Sequence, residues 1–292
     1  MKLLEWVSPQ VTEFIYTVLL YPRPLRAIAQ RIIKAAIPPT LTVNGVRMVL
    51  NQDDPVLCGA LALGAYERFE LSVFRDTLKP GMNVLDIGAN IGLFAAAAAH
   101  LLNGNGRIVA IEPDADNCGY LAKTIALNNL RGITIVEAAA SNADATTELF
   151  LCPDNKADHR IFSKGARTAR RTRIVKTVTM DAVVAGLKLD SVDVIKLDIQ
   201  GAEGLALAGM QNILANNPSV VIFMEFWPWG LTQAGTDAKT LLRNLRDLGF
   251  TVSELNGNTR RIEMVSDEVL LQRDKERHHS NLLLQRPPSS SS

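Results

Sequence analysis

The stretch Asn83-Val84-Leu85-Asp86-Ile87-Gly88-Ala89-Asn90-Ile91-Gly92-Leu93-Phe94 decides the fold. It reads as a short buried strand, a glycine-containing turn and the first turn of an alanine-rich helix. Further on, Ile108-Val109-Ala110-Ile111 forms a second apolar run that stops on Glu112-Pro113. A strand, a tight turn, a helix and an acid at the end of the next strand make the pattern by which an open α/β sheet binds an adenosine-containing cofactor. The turn glycines admit the backbone close to the ligand, and the acid accepts hydrogen bonds from ribose hydroxyls. A dinucleotide turn would carry a glycine where Asn90 stands, to leave room for a pyrophosphate. Asp86 beside the turn would repel phosphate and attract an ammonium group. S-adenosylmethionine (SAM) carries adenosine and an ammonium but no phosphate, so the turn suits SAM better than a nicotinamide dinucleotide.

Several further strings occur in order. Tyr66-Glu67 lies upstream, Ala140-Ser141-Asn142 follows a third strand, and Thr179-Met180-Asp181 opens a helix. Val192-Asp193-Val194-Ile195-Lys196-Leu197-Asp198-Ile199-Gln200-Gly201-Ala202-Glu203 comes next. With Val84 to Phe94, these strings resemble the motifs of the FkbM-type SAM-dependent methyltransferases, over about Leu63 to Glu225. The resemblance implies a doubly wound, mostly parallel seven-stranded Rossmann-like sheet, with the last strand, around Leu282–Leu284, antiparallel. It implies SAM as cofactor, and sugar or natural-product hydroxyls as typical acceptors. Gln200 stands where the family more often has Glu, which speaks against a base at that position. On these motifs, Glu67, Asp86, Gly88, Ala89, Asn90, Gly92, Glu112, Pro113 and Ser141 are expected at the cofactor.

Acids sit at or just after the predicted strand ends: Asp86, Glu112, Asp198, Glu203 and Glu225. Ligands in open α/β sheets lie at those carboxyl ends. Asp198 is the first candidate for a base that takes a proton from an acceptor hydroxyl, with Glu203 and Glu225 next. Glu203 also suits a helix N-terminus through the dipole alone. Lys196 shares a strand face with Asp198 by alternation and would orient substrate or neutralise that acid. A carboxylate rim also suits Mg²⁺, but Lys196 would compete with a cation, so no metal is expected. Trp227 and Trp229 follow Glu225 and would either face a sugar ring or plug the sheet end. The four histidines are expected in core or surface roles.

The 292 residues suffice for one large domain with an appendage. Residues 1–55 read as a helical and hairpin extension, 56–286 as the catalytic domain with an insertion at about 143–178, and 287–292 as a disordered tail. The extension contains amphipathic stretches at 11–21 and 24–36, which would pack on the domain or lie on a membrane surface. Leu41 to Val49 reads as a hairpin around Asn44-Gly45. A formal charge of +1 argues against a general polyanion binder, so nucleic acid is not expected as a partner. Three scattered cysteines support neither a disulfide framework nor a zinc site, and a cytoplasmic location is the expectation. The strongest charge block is Lys164, Arg167, Arg170, Arg171, Arg173 and Lys176, either a solvated loop or a site for an anionic partner. Two rivals to methyl transfer are a nicotinamide-dependent oxidoreductase and a catalytically silent module that keeps the fold.

Overall fold

A computed structural model describes residues 31–64, 66–152, 155–162, 171–273 and 279–287. The proposed helix at 11–21 and most of that at 24–36 lie outside these residues, as do nearly all of the 287–292 tail and Lys164, Arg167 and Arg170 of the basic block.

A hairpin comes first, β1 (Thr40–Val43) and β2 (Val46–Val49), turning at Asn44-Gly45 with both residues at positive φ. Two helices follow, α1 (Leu57–Ala62) and α2 (Arg68–Thr77). The alternating part then runs β3 (Asn83–Ile87), α3 (Leu93–Leu102), β4 (Arg107–Ile111), α4 (Ala115–Asn128) and β5 (Ile133–Val136). The insertion forms a separate three-stranded sheet from β6 (Ala139–Ala140), β7 (Ala145–Leu151) and β8 (Arg171–Val178), in the order β6-β8-β7. The chain returns through α5 (Met180–Gly186), β9 (Val194–Leu197), α6 (Glu203–Ala208), α7 (Gln211–Asn216) and β10 (Val221–Phe226). It ends with α8 (Pro228–Gln233), α9 (Ala238–Asp247), β11 (Thr251–Asn256), β12 (Arg261–Met264), α10 (Asp267–Leu271) and β13 (Ser280–Gln285).

The main sheet has the order β12-β11-β13-β10-β9-β3-β4-β5. Strands β10, β9, β3, β4 and β5 are parallel, and β13 inserts antiparallel between β10 and β11. The expected strands are all present, including the antiparallel one. An eighth, β12, hairpins back onto β11 at the edge. Its sequence, Arg-Ile-Glu-Met, is too short and charged to stand out as a strand, and Ile262 and Met264 on it stay exposed. The segment after β9 forms two short helices, α6 and α7, separated at Gly209-Met210; a Cβ on Gly209 would lie 2.0 Å from the Ser141 carbonyl oxygen, so the close approach there requires glycine.

Two buried clusters cover the two sheet faces. The central strands are buried and mostly apolar, as a sheet covered on both sides requires, with Asp86 on β3 and Lys196 on β9 as the buried charged exceptions. One cluster joins Ile37, Val46, Met48 and Leu50 of the hairpin region to Phe74 of α2 and the alanines of α3. Phe74 meets Phe94 and Phe223 edge-on, with centroids 5.1 and 5.4 Å apart. Strand β2 is also tied to α4: Thr124 Oγ1 accepts from Val49 N at 3.0 Å, and Asn128 exchanges bonds with Arg47 N and O, both 2.8 Å. The hairpin therefore shares the core of the sheet.

That sharing sets an expectation for unfolding. Met48 is 1% exposed, and Met48→Ala should cost about 2–5 kcal/mol while leaving one cooperative transition. Chemical denaturation followed by both fluorescence and circular dichroism checks this. Two separated transitions would show the hairpin to be an independent unit.

Candidate functional site

The site forms where β3, β4 and β9 end. At the end of β3, Gly88 adopts φ 84°, and a Cβ there would meet the Asp198 carbonyl oxygen at 1.9 Å. No side chain fits between these strand ends, so the position requires glycine. Gly88 N and Ala89 N both donate to Ile111 O, at 2.9 and 3.0 Å, which holds the turn over the end of β4. Asn90 is left-handed with φ 51°, and Gly92 with φ 88° seats its Cα against Leu121 of α4.

Asp86 is 2% exposed, and its Oδ2 accepts from Ala95 N at 2.8 Å, capping α3 from inside the sheet. The Glu112 carboxylate accepts from Asn90 N at 2.9 Å and Asp114 N at 2.9 Å, and from Asn117 Nδ2 at 3.3 Å. It thereby fastens the β3 turn to the start of α4. Each carboxylate oxygen has two acceptor positions, so capacity for further donors remains.

On β9, Lys196 Nζ lies 3.0 Å from Asp198 Oδ2, and both side chains are largely buried. Gln200, at φ 56°, donates from Nε2 to Asp198 Oδ1 and to Glu225 Oε2, both at 3.1 Å. Glu203 is fully buried, and its Oε1 accepts from Ile199 N and Gly201 N at 3.0 and 3.2 Å, clamping the turn after β9. Its Oε2 has no partner. Glu67, left-handed at φ 39°, accepts from the Tyr66 hydroxyl and also keeps a buried Oε2 without a partner. Three non-glycine residues in strained backbone, Glu67, Asn90 and Gln200, thus gather at one place.

This cluster is short of positive charge. Burial works against the Lys196 ammonium, yet Asp198 and Glu67 beside it hold its pKa above the ordinary lysine value. Burial would raise Asp198, but Lys196 outweighs it and keeps that acid below the usual range. Burial pushes Asp86, Glu67 and Glu203 each up to about 7, and Glu225 well above the ordinary range, with the Asp198 charge adding to Glu225.

A cavity partly open to solvent adjoins these groups. Of the residues expected from the sequence, Gly88, Asn90, Glu112, Pro113 and Asp198 line it. Glu67, Asp86, Ala89, Gly92, Ser141, Lys196, Glu203 and Glu225 do not, and act from behind the wall through the contacts above. Ser141 instead bonds Asn142 and anchors β8. The rest of the wall comes from the strand ends and turns, among them Ala140, Gln200 and Ala202, and from the insertion through Leu149, Lys156, Ala157, His159 and Ile161. No local motif marks the insertion residues; they become lining only because the second sheet folds over the end of β4.

Arg173 shows how that cover is held. Its guanidinium lies 3.6 Å from Asp114 and 3.7 Å from Asp116 at the start of α4, so this part of the basic block is not simply solvated. His159 Nε2 approaches Asp114 at 3.4 Å, and His159 Nδ1 accepts from Cys152 N. Burial would raise Asp114, but the His159 contact and backbone donors bring it down to about 2. His279 approaches the cluster, with Nδ1 4.0 Å from Glu225. Trp227 is buried, with the Arg160 guanidinium 4.6 Å from its ring centre and the Trp229 ring beside it at 5.1 Å, tilted by 36°. Of the two roles open to the tryptophans, this favours closing the sheet end. Among the described residues no group of side chains is arranged to hold a metal ion, and no helix is long and apolar enough to cross a membrane.

The FkbM methyltransferase domain family matches residues 86–252. The chain belongs to that family. It is a SAM-dependent methyltransferase, and SAM is its cofactor. No curated protein matches the chain. Among solved structures, it is similar to a precorrin-6y C5,15-methyltransferase from Geobacter metallireducens, at 16% identity over 76% of this chain and 88% of that one, with a TM-score of 0.41. It is also similar to a Streptococcus mutans protein described as a methyltransferase and solved with S-adenosylhomocysteine, at 8% identity over 75% and 96%, TM-score 0.43. A third, described as an rRNA methylase of Clostridium thermocellum, shares 12% over 74% and 92%, TM-score 0.43. The residues present suit a cationic cofactor: Glu112 and Asp198 line the cavity, and behind its wall Glu67 and Glu203 keep buried unpartnered oxygens with too little positive charge nearby to balance them.

The raised acids give a stability profile with a definite sign. Asp86, Glu67 and Glu203 bind protons more tightly folded, at about 7, than unfolded, near 4. Their contribution is complete below about pH 4 and is lost as pH rises through 7. Asp114, lowered to about 2, is ionised in both states above pH 5 and adds no slope there. The ligand-free protein should therefore melt at a falling temperature from pH 5 to pH 8, and SAM should raise the melting point more at pH 8 than at pH 6. Scanning calorimetry across that range checks both; a flat or rising ligand-free profile contradicts the assignment.

Proposed function

We propose that the chain transfers the methyl group of SAM to a hydroxyl of a small-molecule or glycan acceptor, a sugar or natural product. The observation that carries this reading is the state of Asp198. It lines the cavity at the end of β9, held by Lys196 on one oxygen and Gln200 on the other. Bound SAM supplies an electrophilic methyl on a good leaving group. What remains for the protein is to hold the acceptor oxygen about 3–3.5 Å from that methyl, exclude water and receive the hydroxyl proton. An oriented carboxylate on the cavity wall suits the last task. Lys196 lowers its basicity, so Asp198 takes the proton as the new bond forms and the hydroxyl acidifies, not beforehand. Glu203 is committed to the turn and shapes that segment. Glu225 and Lys196 set the charge of Asp198 from behind it.

The cofactor reading is equally concrete. Glu112 receives the ribose hydroxyls, and Gly88 to Gly92 bring the backbone alongside the cofactor. Asp86 and Glu67 supply negative charge for its ammonium group. The acid-rich floor disfavours a polyphosphate chain, which supports a small acceptor over nucleic acid. A location in the cytoplasm remains part of this proposal.

Two measurements test the reading. Glu112→Ala should weaken SAM and S-adenosylhomocysteine alike by about 1.5–3 kcal/mol, the value of charge-assisted hydrogen bonds, in titration calorimetry. Unchanged affinity would remove Glu112 from the cofactor site. With ¹³C-methyl SAM and a panel of sugar and phenolic acceptors, the labelled methyl should appear as a methoxy signal. On the acceptor so found, Asp198→Asn should lower kcat by ~10²–10⁴ with little change in SAM affinity. A methyl on nitrogen or carbon, or wild-type kcat in the Asn variant, would overturn the proposal.

A further inference from the structure

Asp198 and Glu225 end neighbouring parallel strands, β9 and β10, and one amide joins them: Gln200 Nε2 lies 3.1 Å from an oxygen of each. Glu225 is 6% exposed. Lys196 Nζ pairs with Asp198 Oδ2 at 3.0 Å. The charged and titratable groups facing this pair are Lys196 on β9, Tyr66 and Glu67 before α2, Asp86 on β3, Glu203 on α6 and His279 before β13. Four of the six are acids or a phenol of a kind that adds negative charge or none, and Glu203 Oε2 is fully buried and unpartnered. One lysine cannot balance several buried carboxylates, so the cluster must take up protons or a cation.

The methylation reaction changes this balance. SAM carries a sulfonium charge, and its product S-adenosylhomocysteine (SAH) carries a neutral thioether in its place. We infer that Asp198 and Glu225 act as one proton store, holding about one proton fewer with SAM bound than with SAH bound. The acceptor's proton then takes over the charge-balancing role of the sulfonium. The transfer clause rests on the hydroxyl reading above; the binding difference does not.

The chemistry closes without a further reactant. A lone pair on the acceptor oxygen forms the O–CH₃ bond, the S–CH₃ bond breaks with its electron pair left on sulfur, and the O–H proton passes to the Asp198 carboxylate. One positive charge leaves sulfur and one proton arrives at the pair, so the buried site ends with the charge it began with. Gln200 suits this store because its amide donates to both carboxylates without adding charge. A glutamate there would add a further acid to the cluster. The raised affinity of Glu225 for a proton supports the same placement.

The test needs no acceptor. Titration calorimetry of the full chain with SAM and with SAH, in two buffers of different ionisation enthalpy at pH 6, 7 and 8, counts the protons released on binding. SAM should release up to one proton more than SAH. The ratio of their affinities should rise toward tenfold per pH unit in favour of SAM across that window. In Glu225→Gln, an isosteric change that removes this proton-binding carboxylate, the difference should fall to near zero. Equal proton counts for SAM and SAH in the wild type would overturn the proposal whatever the variant does. A full difference retained in Glu225→Gln would overturn it too, by placing the proton on another acid such as Asp86 or Glu67. A methyl found on nitrogen or carbon would instead sink the hydroxyl reading and leave the binding difference standing.

Discussion

The buried Lys196 ammonium is the interaction on which the site depends. It contacts Asp198 directly and feels Glu67 and Asp86, and its ring-side neighbour is Phe94, 4.9 Å from Nζ. A lone ammonium in such a place would lose its proton; a lone carboxylate would gain one. Paired, each keeps the other charged. Removing the lysine would leave Asp198 as one more protonated acid. The ionised carboxylate on the cavity wall is therefore a property of the pair and not of the aspartate.

The backbone around this pair is built to bring three strand ends together. Gly88 allows β3 to touch the Asp198 carbonyl, and Gly201, at φ 101°, allows the next turn to press on α8, where a Cβ would lie 2.6 Å from the Gly230 carbonyl carbon. Glu203 then occupies the space beneath that turn and binds its amides. Such turns are strained, and the strain is sustained because the surrounding sheet and helices leave no other arrangement. Asp86 and Glu112 do comparable work on the cofactor side. One caps α3 and the other locks the β3 turn to α4, so the carboxylates that suit the ligand also hold the loops that surround it.

The insertion supplies what a bare open sheet lacks, a roof. Its small sheet has its own apolar centre in Ala139, Leu149 and Val175. It is fastened by Arg173 and His159 to Asp114 and by Asn90 Nδ2 to the Lys156 carbonyl at 3.3 Å. Those fasteners all reach the start of α4 or the β3 turn, the two segments whose amides donate to Glu112. Cover and cavity wall are thus mechanically one structure.

The sequence by itself determined the sheet and most of the polar residues of the site. Apolar strands, glycines at required left-handed turns and acids at strand ends are local features. Local sterics and burial dictate them, so Val84 to Gly92, Glu112 and Lys196 to Glu203 could be read directly. The edge strand β12 was not legible, because an alternation of only four residues is too short to stand apart from chance. The need for glycine at 209 was not legible either, because it answers to a carbonyl on Ser141, remote in the chain. Only the tertiary structure decided which acids face the cavity and which stand behind it. It decided that Gln200 bridges Asp198 and Glu225, and that Leu149, Lys156 and His159 form the wall. The physical reason is that charge state and lining depend on distances between groups from different strands, and these exist only once the strands are side by side.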